Sequence, residues 1–133
     1  MNYTLLLMSH GNLAKEMVQS AEMIVGKIDN IEAVSLLPGM PLDEFMGEAE
    51  EVIKKSGEKV IILVDLFGGT PGNVATILKN KYDVACICGL NLAILLEAVL
   101  KREFNTDSDI NSIVEELIDI GKEACRQITI SEM

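Results

Sequence analysis

The sequence is poor in positive charge, in cysteine, in histidine and in aromatic side chains. Its 133 residues include 11 Lys+Arg against 21 Asp+Glu, for a formal net charge of −10. This shortage of cations disfavours non-specific binding to nucleic acid or to anionic membrane surfaces, since both depend on Lys and Arg. The acidic surface instead favours solubility and encounters with a basic partner.

Cysteine and aromatic residues are too few for several kinds of site. Three cysteines, an odd number, do not make a disulfide framework, and Cys86 and Cys88 have no second cluster that would complete four metal ligands. With no tryptophan, two tyrosines and three phenylalanines, the chain offers little of the ring stacking that flavin sites use. We therefore expect no metal, no cofactor, and cysteines that act as small apolar side chains in the core.

The chain also lacks a long apolar run near its start. The N-terminus has no basic segment, and the apolar run from Leu5 to Met8 is too short for a signal peptide or a membrane span. These features predict a cytoplasmic protein with no direct membrane insertion. A length of 133 residues, 49% of them hydrophobic, predicts a single domain over residues 1–133.

Short apolar runs alternate along the chain with segments of helical period. The runs predict strands at 4–8, 31–37, 60–64 and 83–87, with amphipathic helices after them and a short edge strand at 128–130. This alternation predicts an α/β fold with a mostly parallel four-stranded sheet, helices on both faces and the flavodoxin-like order 2-1-3-4. The predicted inner faces comprise Leu13, Met17, Ala21 and Ile24 in the first helix and Val74, Ile77 and Leu78 in the third.

Three loops are expected to meet at the carboxyl edge of this sheet, where ligands bind in such folds. His10, the only histidine, follows the first strand between Ser9 and Gly11, and Asp65 ends the third. A carboxylate at that point can accept a hydrogen bond from Nδ1–H of His10, which fixes the tautomer and leaves Nε2 free as a nucleophile. A capping or loop aspartate is the alternative interpretation of Asp65. The third loop, 89–91, contributes Asn91 as a predicted helix cap.

The second of these loops, 68–73, is rich in glycine and enters a helix, with Thr70 as the predicted N-cap. Such loops hold phosphate with backbone N–H groups, although this one matches neither the Walker nor the dinucleotide pattern. With His10 and Asp65 it favours phosphoryl transfer through a phosphohistidine. The three loops contain no Lys or Arg, so the negative charge of a phosphoryl group would have to be neutralised by backbone dipoles or by a cation brought by a partner. The predicted phosphate contacts are Ser9, Gly11, Gly68 and Gly69.

Apolar residues in the loops predict a docking surface around the histidine. Met40, Leu66 and Phe67 would form an apolar rim on which a partner docks. Transfer between two histidines requires such docking, because both rings must approach in line. The alternative is that these three residues belong to the core.

Four segments of the sequence carry a family resemblance. They are SHG at 9–11, SAEMIVG at 20–26, DLFGGTPGN at 65–73 and GLNL at 89–92. In this order and spacing they resemble the enzyme IIA domain of the mannose family (mannose, fructose and sorbose) of the bacterial phosphoenolpyruvate-dependent sugar phosphotransferase system. The resemblance runs over essentially the whole chain.

The resemblance implies roles for individual residues. His10 would carry a phosphoryl group on Nε2, taking it from the phosphocarrier HPr and passing it to a IIB component, itself associated with the membrane components IIC and IID. Asp65 matches the aspartate that bonds the histidine, and Thr70 matches the Ser/Thr that contacts the phosphoryl oxygens. The family fold also implies a homodimer that exchanges a C-terminal antiparallel strand, here near 128–130.

The sequence departs from the family at two points, and other families compete with it. Ala93 stands where many members have proline, which we expect to matter little, and no linker to a IIB domain follows, so IIB is expected to be a separate chain. A receiver domain phosphorylated on Asp65 is one alternative, but Ser9 and His10 stand where its Mg²⁺-binding acidic pair would lie. Another is the phosphotransfer subunit of a dihydroxyacetone kinase, which shares the N-terminal histidine but lacks the Gly-Gly-Thr-Pro loop.

Overall fold

The computed structural model describes residues 2–104 and 109–130. Strands and helices alternate along the chain until the last helix, which follows another helix. The strands are β1 (Tyr3–His10), β2 (Ile31–Leu36), β3 (Lys59–Val64) and β4 (Val84–Cys88). The helices are α1 (Leu13–Val25), α2 (Leu42–Lys55), α3 (Thr70–Lys81), α4 (Leu92–Phe104) and α5 (Ile110–Ala124).

The four strands form one parallel sheet in the order β2-β1-β3-β4, which confirms the predicted architecture. In register, His10 of β1 lies beside Leu36 of β2, and Met8 lies beside Val64 of β3. Since Asp65 directly follows Val64, the carboxyl ends of β1 and β3 place His10 and Asp65 at the same edge of the sheet. The site therefore lies between β1 and β3, where the order in which strands are added to the sheet reverses.

Side chains of β1 point alternately into two separate cores. Leu5 and Leu7 pack with α1, α4 and α5, whereas Leu6 and Met8 pack with α2 and α3. The two central strands, β1 and β3, are buried on both faces, which explains why their sequences are almost continuously apolar. Continuing the alternation places Ser9 on the α1 face and His10 on the α2–α3 face.

Helix faces differ from the prediction at three positions. Leu13, Ile24 and Ile77 are exposed, and the contacts with the sheet are made instead by smaller side chains, Ala14 and Ala21 in α1 among them. An alanine lets the helix backbone approach the strands closely, so the larger apolar residues beside it are left at the margin of the contact. In α1 and α3 the apolar face of the helix is wider than the part of it that packs against the sheet.

Of the predicted helix caps Asn91 and Thr70, the first is confirmed and the second is not. Asn91 Oδ1 accepts the backbone N–H of Ile94 at 2.9 Å, which confirms it as the cap of α4. The predicted cap Thr70 is instead the first residue of α3, and the N-cap is Gly69, with no side-chain hydrogen bond. The Thr70 hydroxyl is therefore not used to close the helix.

Residues 125–130, the part after α5 that the structure describes, do not form a strand in the single chain. Ile128 and Ile130 are both exposed. A strand at 128–130 that pairs with a second copy remains a prediction, because the structure contains one chain. None of the helices in the described ranges has both the length and the apolar character needed to cross a bilayer.

All three cysteines are free. Cys86 and Cys88 line the same small cavity of about 210 Å³, so they do face the same side of β4. Cys86 is half-buried and its thiol donates to the carbonyl of Ala75 at 3.7 Å, but Cys88 and Cys125 are exposed. The expectation that the cysteines lie in the core is wrong for the latter two, because one ends an edge strand and the other follows the last helix.

Candidate functional site

A hydrogen bond joins the two residues that end β1 and β3. Nδ1 of His10 lies 2.7 Å from Oδ2 of Asp65. Because a carboxylate can only accept, this bond places the proton on Nδ1 and leaves the lone pair on Nε2. The histidine side chain is 49% exposed and that of Asp65 only 6% exposed. The ring thus presents Nε2, a nucleophilic nitrogen, to solvent, and the buried carboxylate of Asp65 holds the ring through Nδ1.

Three N–H groups hold the Asp65 carboxylate. Oδ2 accepts from the His10 ring and also from the His10 backbone N–H at 2.9 Å, and Oδ1 accepts from the Leu66 backbone N–H at 3.0 Å. Burial, the largest single influence, acts to raise the pKa of Asp65, but the bonds from His10 and Leu66 outweigh it and hold that pKa below its ordinary value. Asp65 is thus a carboxylate at neutral pH and can stabilise positive charge on the ring.

The lowered pKa of Asp65 predicts the pH dependence of its contribution to stability. A carboxyl group with a lower pKa in the folded state stabilises the fold fully above the ordinary pKa of 3.8. That stabilisation is lost as the pH falls through the lowered value. We expect the wild-type chain to lose free energy of unfolding relative to Asp65→Ala as the pH falls from about 5 through this acid range. Urea unfolding at several pH values would measure it, and a difference that stays constant into acid would contradict the pairing.

The glycine loop brings the N-terminus of α3 beside the imidazole. Gly68 has a φ of +89°, a conformation that favours glycine, and it turns the chain from Phe67 into the helix. The first amides of a helix have no carbonyl partner within it, and here no side chain caps them. They carry the positive end of the helix dipole, so this end of α3 suits an anion next to His10.

A groove of about 650 Å³ opens in front of the ring. Its walls are mostly apolar, and its polar contributors are His10 and Thr70. No lysine or arginine is among the residues that line it. The residues that line the groove are His10, Gly11, Leu36, Leu37, Pro38, Gly39, Met40, Leu42 and Thr70. The groove at His10 is therefore lined by a threonine but by no cationic side chain.

Ser9 is placed differently from the prediction of a phosphate contact. Its side chain is buried on the α1 face, where the hydroxyl donates to the Gly11 carbonyl at 3.1 Å and accepts the Ala14 N–H at 2.9 Å. The alternation of β1 requires this, because consecutive strand residues point to opposite faces. The Ser9 hydroxyl therefore anchors the start of α1, on the face of the strand opposite to the His10 side chain.

Gly11 lines the groove, but its amide is already bonded. Its N–H donates to the Leu36 carbonyl at 2.8 Å, so it is not available to a phosphate. Gly11 instead closes the edge between β1 and β2, with a φ of +55°. The backbone that lies against the His10 ring is that of Gly69, directly before α3.

The third predicted loop supports the site without lining the groove. The Leu90 N–H donates to the carbonyl of Val64 at 3.0 Å, next to Asp65. Asn91 caps α4 and also donates from Nδ2 to the Gly121 carbonyl of α5 at 3.2 Å. This loop thus holds the end of β3 and ties it to the two C-terminal helices.

Two of the three predicted docking residues are exposed, and the third lines the groove at His10. Leu66 and Phe67 are exposed, Phe67 to 85%, while Met40 is half-buried in the wall of the groove. The sequence interpretation missed Leu37 and Leu42, which are exposed in the same wall. Both residues lie close to the Pro38–Gly39 turn, directly after β2, and this position in the sequence is what could have identified them as part of the wall.

Comparisons with known proteins agree with this arrangement. The family model described as "PTS system fructose IIA component" matches residues 4–118. The fructose-specific EIIA component of Bacillus subtilis is 31% identical over 103 residues, which cover 75% of this chain and 70% of that protein. The solved structure of a mannose/sorbose-specific IIA subunit from Enterococcus faecalis has a TM-score of 0.87 and 31% identity, covering 98% of this chain and 97% of that one.

A longer relative shows how much of a larger protein this chain represents. The mannose-specific EIIAB component of Escherichia coli K12 is 25% identical over 131 residues, which cover 96% of this chain but 40% of that protein. The chain thus spans about two fifths of the length of that relative. On the match of the family model and the likeness to the fructose-specific relative, the chain belongs to the mannose family of enzyme IIA components of the sugar phosphotransferase system.

Proposed function

We propose that residues 1–133 act as one cytoplasmic IIA domain, a phosphoryl carrier in sugar uptake, with His10 as the residue that carries the group. His10 takes the phosphoryl group from HPr and passes it to a IIB component, which is associated with membrane components IIC and IID. The observation that carries this proposal is the 2.7 Å bond from His10 Nδ1 to Asp65, which leaves Nε2 exposed beside the start of α3. Phosphate contacts come from Gly68, Gly69 and the Thr70 hydroxyl.

The transfer step follows from the tautomer of His10. The Nε2 lone pair attacks the phosphorus of the donor phosphohistidine, and the donor N–P bond breaks as the Nε2–P bond forms. The proton on Nδ1 stays in place, so the phosphorylated ring carries positive charge. Asp65 faces that charge at Nδ1 and stabilises it. Transfer to IIB reverses these changes and returns the ring to its neutral form.

Asp65 itself is poorly placed to be the phosphorylated residue. Both of its oxygens accept N–H bonds, and its side chain is 6% exposed. An acyl phosphate on Asp65 would require those bonds to break and the carboxylate to emerge. These contacts favour the histidine over the receiver-like alternative.

The partner completes the charge balance in this proposal. The groove around His10 is lined by apolar residues and by no cation, whereas the phosphoryl group carries negative charge. A basic group on HPr or IIB would neutralise it, and the net charge of −10 on this chain favours such an encounter. A homodimer that exchanges a strand at 128–130 is part of the same proposal.

Labelling tests the proposed function directly. The purified chain is incubated with phosphoenolpyruvate, enzyme I and HPr, and the site of phosphorylation is mapped by mass spectrometry. We expect one phosphoryl group per chain, on His10, stable in alkali and labile in acid. A chain that takes no label from phospho-HPr, or that is labelled by acetyl phosphate with Mg²⁺ on Asp65, would overturn the proposal.

Docking on the apolar rim predicts a kinetic effect of Phe67→Ala. Because Phe67 is 85% exposed, its truncation removes contact area from a partner and little from the core. We expect transfer from HPr to slow by about 10-fold, with an unchanged melting temperature. Phe104→Ala is the matched control, because Phe104 is 79% exposed at the end of α4, away from His10. Equal rates for the two variants would place docking elsewhere.

A further inference from the structure

Gly69 lies closer to the imidazole than any other residue type would allow. An ideal Cβ built on Gly69 would come within 2.7 Å of Cε1 and 3.3 Å of Nε2 of His10. Carbon atoms in contact normally stay at about 3.5–4.0 Å. The imidazole therefore lies against the backbone of Gly69, in space that every other side chain would occupy.

The backbone conformation does not explain glycine at this position. Gly69 has φ −86° and ψ 176°, an extended conformation open to all residues, whereas its neighbour Gly68 has a φ of +89°. Gly68 is thus glycine because of its own dihedral angle. At Gly69 the constraint is space, because the ring of His10 lies where a Cβ would be.

We propose that Gly69 is a positioning residue for His10, an inference that rests on the proposed function. The backbone of Gly69 and the carboxylate of Asp65 form a slot that holds the ring. Asp65 fixes Nδ1 by its hydrogen bond, and the absence of a side chain at 69 lets Nε2 reach the start of α3. The slot therefore sets both the tautomer and the position of the reacting nitrogen.

A methyl group at 69 would act on the ring and not on the fold. The atoms that it meets are the end of a half-exposed side chain, which can rotate into solvent. That rotation breaks the 2.7 Å bond to Asp65 and moves Nε2 away from the helix amides. A misplacement of about 1 Å is enough to lower a transfer rate about 100-fold.

Gly69→Ala tests the slot, with Gly47→Ala as the matched control. The control adds the same methyl group in α2, at a position where nothing lies within 4 Å of the new atom. We expect single-turnover phosphorylation of Gly69→Ala to fall about 100-fold, with near wild-type rates for Gly47→Ala and intact circular dichroism for both. Nitrogen NMR of the single histidine should show the Nδ1–H tautomer preference lost in Gly69→Ala alone.

Two readouts separate this inference from the proposed function. If the wild-type chain takes no phosphoryl group, the proposed function fails, and the NMR measurement still tests the slot. If Gly69→Ala keeps the wild-type tautomer preference, whether its transfer is slow or not, the slot does not position the ring, and slow transfer alone would mean that the methyl group blocks access to Nε2. Loss of the tautomer preference together with slow transfer supports it.

Discussion

His10→Gln is expected to abolish phosphoryl uptake from HPr without unfolding the protein. Glutamine fills similar space and can donate to Asp65, but its amide nitrogen is not a nucleophile. The backbone N–H of residue 10 keeps its bond to Asp65, and the side chain is 49% exposed, so little packing is lost. We expect no label above background from phosphoenolpyruvate, enzyme I and HPr, and a melting temperature near that of the wild type.

The result of this experiment identifies the acceptor clearly, because the chain contains one histidine. The variant has no imidazole at all, so residual label cannot come from a second ring. Label that survives in His10→Gln and is lost in alkali would assign an acyl phosphate and move the acceptor to a carboxylate. Intact circular dichroism is the control that separates loss of chemistry from loss of fold.

The sheet and the central pair were predictable because both depend on local patterns. Continuous apolar runs predict strands buried on both faces, and the alternation with helices predicts the parallel order. Once β1 and β3 are neighbours, residues that end them must meet, as His10 and Asp65 do at 2.7 Å. The prediction needed no side-chain detail beyond the residue types.

Errors arose where the outcome depends on which way a side chain points or how close two backbones come. Ser9 and His10 are neighbours in the sequence, but the strand places their side chains on opposite faces, which the sequence analysis does not consider. Leu13 and Ile24 fit the helical period, but the contact with the sheet passes through the alanines of α1. The close approach of Gly69 to the ring depends on a tertiary distance that no local pattern encodes.

Asp65→Asn is expected to slow phosphoryl transfer by about 10²- to 10⁴-fold, as loss of an orienting carboxylate does in other catalytic pairs. Wild-type Asp65 accepts with both oxygens, one from His10 and the other from Leu66. Asparagine has one acceptor oxygen, so its NH₂ group must face either the N–H groups of His10 or that of Leu66. Either choice places donor against donor and removes the negative charge that stabilises the phosphorylated ring.

Asp65→Ala separates the two contributions of the carboxylate. Alanine removes the acceptor and the charge but introduces no opposing donor, so a slower Asn variant than Ala variant would show that a wrongly placed donor matters more than the missing bond. Single-turnover transfer from phospho-HPr measures both rates, and mass spectrometry should still find the group on His10. Asp83→Asn is the matched control, because Asp83 is an exposed carboxylate paired with Lys59 at the start of β4, away from the site. Wild-type rates in both Asp65 variants would mean that the ring does not need its acid, and Nε2 would then have to be oriented by Gly69 alone.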